Sequence, residues 1–294
     1  MKYAWIAQHA HVWPVAPLCR ALDVSYSGFK DWRGGAKRTT SRLSDAGLLL
    51  SIKAVHVEFK GAYGSPRMHE ELRGRGQRVG RTRVERVMHE HGIRARHKRR
   101  WRATTDSKHA LAVAPNLIAR DFCPKRPNQC WGADITYLWT DEGWLYLAVV
   151  LDFFNREIVG WSLREQLTAM LACEALRMAC SRRHPQPGLI HHSDRGVQYA
   201  SAAFQNELAR YGMHCSMSRK ANCWDNAPTE SFFNSLKNER IHGRRYRTRA
   251  EARAEVFQYI EAFYNRNRRH STLGYISPLS FLQKWRESEH KEAA

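Results

Sequence analysis

The sequence lacks the features that would place a protein in or across a membrane. Its longest uninterrupted apolar run covers residues 144–151, which is eight residues, whereas a membrane-spanning helix needs about 20. No long apolar stretch follows the basic start of the chain, so we expect no secretory signal. These absences predict a cytoplasmic protein that does not act in a membrane.

Cysteine pairs are missing as well. The chain has seven cysteines, and no two of them form a C-x-x-C pair. An odd number of cysteines without that spacing argues against a disulfide framework and against an ordinary zinc-finger site. We therefore expect a reducing compartment and no structural zinc.

Acidic residues are fewer than basic ones, and the excess of basic residues varies along the chain. The chain has 48 Lys and Arg against 28 Asp and Glu, a net charge of +20. Residues 1–120 hold 24 basic and 9 acidic residues, whereas residues 121–220 hold 11 and 10. A basic first third beside a nearly neutral middle indicates a polyanion-binding part joined to a different domain. A merely soluble basic surface is the other explanation.

The first 40 residues have the pattern of two helices joined by a short turn. Residues 16–22 and 26–32 are the two helices, Ser25 is the expected N-cap, and glycines at 34 and 35 end the second helix. This is the layout of a helix-turn-helix unit, although many helix pairs have no role in DNA binding.

Residues 41–102 form a second predicted helical module, with helices at 44–59, 65–73 and 81–91. The third helix has an apolar stripe and an arginine-rich face, so it could lie in a DNA groove or be an ordinary surface helix. A basic arm with an aromatic residue follows it and is typical of phosphate binding. The predicted DNA contacts are Arg81, Arg83 and Arg86 on the helix and Arg94, Arg96, Lys98, Arg99, Arg100 and Arg102 on the arm.

The pattern changes to strands after a proline-containing linker at 103–128. Residues 129–240 predict an α/β core with a mixed five-stranded sheet and flanking helices. The predicted strands cover residues 130–139, 144–151, 158–163, 189–192 and 214–217. Residues 241–294 predict a C-terminal helical extension, which begins with a capping box at residues 248–251.

Three acidic residues of the core stand out. Asp134 lies within a predicted strand, Asp194 follows the strand at 189–192, and Glu230 lies on the helix that begins near Pro228. A carboxylate within a buried strand is costly unless it is paired or binds a cation. Each acid alone is weak evidence for such a site.

The helix of Glu230 adds to this evidence. At about 100° per residue, Asn226, Glu230, Asn234 and Lys237 fall on one narrow polar face, and Phe232 points away from it. Such a face suits a metal ion and a phosphate. An ordinary amphipathic helix is the other interpretation.

The three acids and their surroundings resemble a known family. There are 59 residues between Asp134 and Asp194 and 35 between Asp194 and Glu230, a pattern that resembles the DDE triad of retroviral-integrase-type recombinases. The flanking sequence is similar to bacterial insertion-sequence transposases of the OrfB type, which are made from the second reading frame of the element. The similar stretches are NQCWGADITYLWTDEGWLYLAVVLDFFNREIVGWSL, HSDRGVQYAS, NCWDNAPTESFFNSLKNE, YNRNRRHSTLGYISP, YGSPRMHEELR and ATTDSKHALAVAPNLIARDF.

This resemblance covers almost the whole chain and implies a fold and a chemistry. It implies a ribonuclease H-like core in which Asp134, Asp194 and Glu230 are catalytic metal ligands for two Mg²⁺ ions, with Mn²⁺ as a substitute. Two such ions, about 3.5–4 Å apart, clamp the attacking and leaving oxygens of an in-line displacement at phosphorus. Lys237 stands where the family has a basic residue that contacts DNA.

The resemblance also implies partners. These are double-stranded DNA of the element ends and of the target, the first-frame product by fusion or association, and further copies of the chain on DNA. The implied location is the bacterial cytoplasm, in association with the nucleoid.

Other titratable residues near the three acids are not expected to be ligands. Asp152 and Asp225 fall outside the matched triad, and we expect Asp225 to help start the helix of Glu230. His191 and His192 form a strand-end pair that is more often structural than metal-binding.

Three functions are therefore compared. The first is a DNA transposase that cleaves and transfers strands by metal-dependent phosphoryl transfer. The second is a DNA-binding regulator with an inactive core, and the intact acids argue against it. The third is a ribonuclease H-like nuclease that acts on RNA–DNA hybrids, and the basic first third argues against it.

The charge distribution generates a first prediction. A fragment of residues 1–102 should bind duplex DNA, because it carries most of the excess positive charge. Neutralising ~6 phosphates predicts a slope of about −5 when the logarithm of the binding constant is plotted against that of salt concentration. DNA binding is measured by fluorescence anisotropy. A binding constant that does not change between low and high salt would contradict the assignment of DNA binding to residues 1–102.

Overall fold

One mixed sheet forms the centre of the computed structural model, which describes residues 1–34, 43–96, 112–219 and 223–292. Its strands lie in the order β3-β2-β1-β4-β5. They are β1 (Cys130–Thr140), β2 (Gly143–Asp152), β3 (Ile158–Arg164), β4 (Ile190–Ser193) and β5 (His214–Met217). Tight turns make β1, β2 and β3 antiparallel, whereas helical connections make β1, β4 and β5 parallel. The predicted mixed five-stranded sheet is confirmed.

Helices cover both surfaces of this sheet. Ala148 and Val150 of β2 belong to the apolar cluster that contains the helix α7 (Ala169–Arg183). Leu147 and Val149 point to the opposite surface and belong to a second cluster with the C-terminal helices. Both faces of β2 are therefore buried, which explains why its sequence is continuously apolar.

The other helices precede the sheet in the chain, connect its last strands or follow it. The N-terminal helices are α1 (Lys2–His9), α2 (Val15–Ala21), α3 (Tyr26–Arg33), α4 (Asp45–Glu58), α5 (Ser65–Gly74) and α6 (Arg81–Glu90). Those after α7 are α8 (Val197–Ala200), α9 (Ala202–Arg210), α10 (Ala227–Leu236), α11 (Arg249–Phe257) and α12 (Pro278–Glu292). Wider π-helical turns, Lys237–Ile241 and Gln258–Tyr264, continue α10 and α11. No helix within the described ranges is long and apolar enough to cross a membrane.

Helices α1 to α3 form a small unit around Ile6, Cys19 and Phe29. The predicted N-cap Ser25 accepts a hydrogen bond from the Gly28 backbone N–H at 2.9 Å. The two predicted helices of this segment are confirmed, and α1 is an addition that the sequence pattern did not reveal.

Helices α4 to α6 pack against the C-terminal part of the chain. Ile52 and Phe59 share one apolar cluster with Tyr259 and Phe263, and the rings of Phe59 and Phe263 are 5.5 Å apart. A fragment that ends at residue 102 would expose this surface. The salt dependence of DNA binding should therefore be measured on the complete chain as well as on this fragment.

A buried carboxylate joins these same parts of the chain. Glu239 lies in the π-helical turn after α10 and is paired with the buried Arg268, whose Nη2 is 2.7 Å from Glu239 Oε1. The Tyr259 hydroxyl donates to Glu239 Oε2 at 2.8 Å, and Arg67 of α5 lies 3.7 Å from Oε1. Burial opposes the charged form of Arg268, but attraction to Glu239 and Tyr259 and the hydrogen bond to Glu239 together outweigh it and raise the pKa of Arg268. One acid thus connects α5, the end of α10 and the C-terminal segment.

Gly132 marks the point where α10 rests on the sheet. A Cβ atom at this position would lie 2.2 Å from the Phe153 ring and 2.7 Å from the Thr229 Oγ1 atom. Thr229 directly precedes Glu230 and is completely buried. The missing side chain therefore allows the first turn of α10 to approach β1.

We expect Gly132→Ala to lower the free energy of unfolding by about 1–3 kcal/mol, because the added methyl group overpacks this contact. Gly80→Ala is the matched control, since a Cβ at Gly80 meets nothing within 4 Å. Both changes reduce the entropy of the unfolded chain equally. Equal melting temperatures for the two variants, measured by circular dichroism, would show that the close approach is unimportant.

Candidate active site

The sheet topology brings Asp134 and Asp194 together. Parallel strands β1 and β4 pair Gly132 with His192, and each acid lies two residues beyond its member of that pair. Neighbouring strands are about 4.8 Å apart, so the two acids leave the sheet side by side. The space beside these two acids and the first turn of the helix that carries Glu230 is called the crevice below.

Backbone hydrogen bonds orient both carboxylates. Asp134 Oδ1 accepts from the Ile135 N–H at 2.8 Å, and Asp194 Oδ1 accepts from the Gly196 N–H at 2.9 Å. Each bond fixes one oxygen of its carboxylate relative to the main chain.

Helix α10 supplies Glu230, and Asn226 anchors the start of this helix. β1 extends beyond β4, and the Asn226 amide donates to the Ala133 carbonyl at 3.0 Å. This bond and the Gly132 contact hold the first turn of α10 against the strand that carries Asp134. The sequence placed Asn226 on the face of Glu230, but its anchoring role depends on a strand 93 residues away.

The electrostatics show that the three acids interact. Burial, followed by repulsion from Asp194, raises the pKa of Asp134 well above its ordinary value. The same two causes, in the same order, raise the pKa of Glu230. Ionisation of Asp194 therefore makes ionisation of Asp134 and of Glu230 less favourable in the metal-free chain.

Tyr199 is a further member of the site that sequence reasoning missed. It is almost fully buried, and its hydroxyl has no hydrogen-bond partner among the residues that the structure describes. Burial raises its pKa well above the ordinary value, with further contributions from the negative charges of Asp134 and Asp194. Its position five residues after Asp194 in HSDRGVQYAS was the available signal.

Lys237 lies at the other end of the crevice. Its ammonium group is 5.1 Å from the centre of the Tyr137 ring. Burial lowers the pKa of Lys237, and attraction to the Asp134 carboxylate opposes this effect. The predicted polar face of α10 is thus only partly solvated, since Lys237 and Asn226 are buried whereas Asn234 is exposed.

The three candidate ligands suit a hard divalent cation, because they are negatively charged and their donor atoms are oxygens. All three candidate ligands are carboxylates, which Mg²⁺ prefers, and a cation would relieve the repulsion that raises two of their pKa values. In the described part of the chain, no group of three or more His, Cys, Asp or Glu side chains is close enough to hold a metal as it stands. The acids interact electrostatically without forming a finished set of ligands.

The two histidines of β4 are buried in the core. His192 exchanges hydrogen bonds with Ser216 at 2.8 Å and Ser218 at 3.2 Å. His191 packs against Phe204, with ring centres 5.2 Å apart. Burial lowers the pKa of His191 to about 3 and that of His192 to about 4, so both are neutral at pH 7.

Asp152 lies at the end of β2, where it holds a turn. It accepts hydrogen bonds from the backbone N–H groups of Asn128 and Phe154, each at 3.0 Å. Burial raises its pKa to about 6, although these bonds favour the ionised form.

The expected role of Asp225 at the start of α10 is wrong. A 3₁₀ turn, Cys223–Asn226, precedes the helix, and the N-cap residue makes no side-chain capping bond. Asp225 instead accepts hydrogen bonds from Arg219, Arg120 and Asn116. Its hydrogen bond with Arg219 is the main reason that its pKa lies well below the ordinary value. The residue ties the linker and the end of β5 to the active-site helix.

The predicted DNA-binding residues have different environments. Arg83 and Arg86 are both paired with Asp45 at the start of α4, and Arg96 donates to the Glu239 and His242 carbonyls. Arg81 and Arg94 are exposed. The other predicted contacts, Lys98, Arg99, Arg100 and Arg102, lie outside the described residues.

Family models match most of the chain. A model described as "HTH-like domain" matches residues 35–101. Two models described as "Integrase core domain" match residues 124–223 and 230–285. The first of these contains Asp134 and Asp194, and the second begins at Glu230.

Individual proteins are similar over nearly their full length. The chain is 44% identical over 285 residues to the transposase InsF for insertion sequence IS3A of Escherichia coli, covering 97% of this chain and 99% of that protein. It is 45% identical to an uncharacterized 31 kDa protein of insertion element IS600 from Shigella sonnei, covering 92% and 99%. The catalytic core of BIV integrase is a solved structure with 16% identity and a TM-score of 0.41, covering 57% of this chain and 99% of that one. The chain belongs to the insertion-sequence transposases that carry an integrase core domain.

Proposed function

We propose that the chain catalyses metal-dependent DNA strand cleavage and strand transfer, with Asp134, Asp194 and Glu230 as the metal ligands. The observation that carries this proposal is the convergence of three mutually repelling acids on one crevice of the sheet. Family membership supports the same reaction, since relatives that match nearly end to end are named transposases.

The metal would be Mg²⁺, two ions per site, with Mn²⁺ as a substitute. Divalent ions supply Lewis-acid polarisation of the phosphate and lower the pKa of the attacking hydroxyl. Asp134 and Asp194 would be the ligands from β1 and from the end of β4. Backbone hydrogen bonds hold both carboxylates in a fixed orientation. Glu230 completes the set from α10.

Lys237 would position the DNA. Its ammonium group is 5.1 Å from the centre of the Tyr137 ring and is attracted by the Asp134 carboxylate, so it would contact a non-bridging phosphate oxygen near the metal ligands. A compact ammonium group acts here as a point charge rather than as a bidentate clamp.

The proposed partners follow from the two kinds of matched domain. The helical module and the exposed arginines Arg81 and Arg94 would bind duplex DNA of the element ends or of the target. We extend the proposal to the first-frame product, by fusion or association, and to further copies of this chain on DNA. The place of action would be the nucleoid within the bacterial cytoplasm.

We expect Asp134→Asn, Asp194→Asn and Glu230→Gln each to lower the rate of strand cleavage by on the order of 10³-fold or more, because each removes a charged ligand. Folding should survive, since the loss of one carboxylate relieves repulsion in the metal-free site. For Asp134, whose pKa is raised on folding, ionisation makes the free energy of unfolding fall as pH rises above about 4. Melting curves at pH 8 should therefore show Asp134→Asn at least as stable as the unchanged chain.

Asp152→Asn is the control for these variants. It is a buried acid of the same sheet that accepts hydrogen bonds from backbone N–H groups, and it should keep most of the activity. Cleavage is measured on duplex DNA and on an RNA–DNA hybrid, with and without Mg²⁺. Cleavage of the hybrid alone would favour a nuclease, cleavage of neither substrate would favour a regulator, and full activity of Glu230→Gln would refute the triad.

Lys237→Ala should weaken DNA engagement while leaving metal affinity nearly unchanged, and Lys237→Arg should restore part of the activity. The ammonium group lowers the pKa of Asp134, so its loss should raise that pKa. Because metal binding needs the ionised acid, the acidic limb of the pH–rate profile should move to higher pH. A Lys237→Ala variant with an unchanged profile and unchanged strand transfer would remove Lys237 from the site.

A further inference from the structure

Two tryptophans at the tip of the β1–β2 hairpin are widely exposed. Trp139 is 57% and Trp144 is 43% accessible to solvent. Their rings meet edge to face with centres 4.8 Å apart, and Tyr137 meets Trp144 in the same way at 5.0 Å. Large aromatic side chains are usually well buried, so two exposed tryptophans that pack together beside the half-buried Tyr137 indicate a binding surface.

The hairpin tip is held rigid by the segment after α10. The Asp141 backbone N–H donates to the Tyr246 carbonyl at 2.9 Å, and Arg245 Nε donates to both Asp141 carboxylate oxygens at 3.0 Å. The Arg249 backbone N–H donates to Glu142 at 2.7 Å. Little conformational entropy is therefore lost when a ligand contacts these rings.

The rings line a groove of about 520 Å³ whose lining also includes Lys237. Its cationic wall is formed by Lys237, Arg244 and Arg245. Asp141 and Glu255 pair with the two arginines, but the lining keeps an excess of positive charge. Lys237 belongs both to this groove and to the surroundings of Asp134.

The composition of the groove favours nucleic acid over an apolar peptide. Aromatic rings beside cationic side chains are the usual platform for unpaired nucleotides, because each base can stack while its phosphate is neutralised. A base within a duplex has both faces covered by its neighbours and cannot stack on a protein ring. The ligand must therefore be a nucleotide that has left the duplex.

We propose that this groove holds an unpaired nucleotide of the DNA strand next to the scissile phosphate, with its base on Trp139 and Trp144 and its backbone at Lys237. This inference rests on the proposed function, because it names the part of the DNA that the site takes. It makes the hairpin tip a subsite that requires local strand separation.

The test compares a fully paired duplex with one that carries a short unpaired 3′ tail containing 2-aminopurine, both bound to the complete chain without metal. Stacking on tryptophan should quench the 2-aminopurine fluorescence. Trp139→Ala should remove this quenching and weaken binding of the tailed duplex by about tenfold, the effect of one lost base stack. Affinity for the paired duplex should remain unchanged.

Trp139→Phe keeps an aromatic face and should keep most of the quenching. Phe257→Ala is the matched control, because Phe257 is a 54% exposed aromatic residue outside the groove lining. Equal binding of the tailed duplex by Trp139→Ala and the unchanged chain would overturn the inference. So would a Trp139→Ala variant that loses only self-association in sedimentation, since the groove would then bind protein.

Cleavage assays with Mg²⁺ separate this inference from the proposed function. If the unchanged chain does not cleave DNA but Trp139→Ala binds the tailed duplex more weakly, the subsite is supported and the proposed reaction is refuted. If the unchanged chain cleaves DNA and Trp139→Ala cleaves the tailed substrate as well as the unchanged chain does, the proposed reaction stands and the subsite is refuted.

Discussion

Glu239 imposes the constraint on which the arrangement of this chain depends. Its carboxylate is buried, and an ionised acid away from water is tolerated only with a closely matched partner. Arg268 is that partner, and loss of one member of such a pair typically costs about 3–5 kcal/mol. Because Glu239 stands two residues after Lys237, its pair with Arg268 also fixes the end of the helix that carries Glu230, and Arg67 of the helical module lies beside the same carboxylate.

The active site follows a different principle from this pair. Around Glu239 each charge is compensated, whereas Asp134, Asp194 and Glu230 face one another with Lys237 as the nearby cation. Such an arrangement is unfavourable in the metal-free chain and persists because strand register, the Gly132 contact and the Asn226 hydrogen bond hold the acids in place. Stability is thus given up at the point where a bound cation can restore it.

Local signals in the sequence predicted much of this fold, and long-range contacts explain most of what was missed. Ser25 and Ser44 cap the helices that follow them, because a cap depends only on residues close in the chain. The wrong role for Asp225 arose because its partners Arg120 and Asn116 lie more than a hundred residues away.

The candidate site divides in the same way. The spacing of the three acids is visible in the sequence, and their role as metal ligands stays a prediction. Glu239 stands in the strongly charged stretch KNERI, which has the composition of a solvated surface, and only the fold reveals its buried pair. The groove beside Trp139 likewise requires the hairpin and the segment after α10 to meet, and no periodic pattern records that contact.

The packing of α4 to α6 against the C-terminal segment has a consequence for synthesis of the chain. Phe59 and Tyr63 leave the ribosome long before Phe263 and Asn267, with which they make their contacts. At 5–20 residues per second, the interval between residues 96 and 270 is roughly 10–35 s. During that time the nascent helices present an uncovered apolar surface, which chaperones can bind. The helical module and the catalytic crevice therefore mature together, after almost the entire chain has been translated.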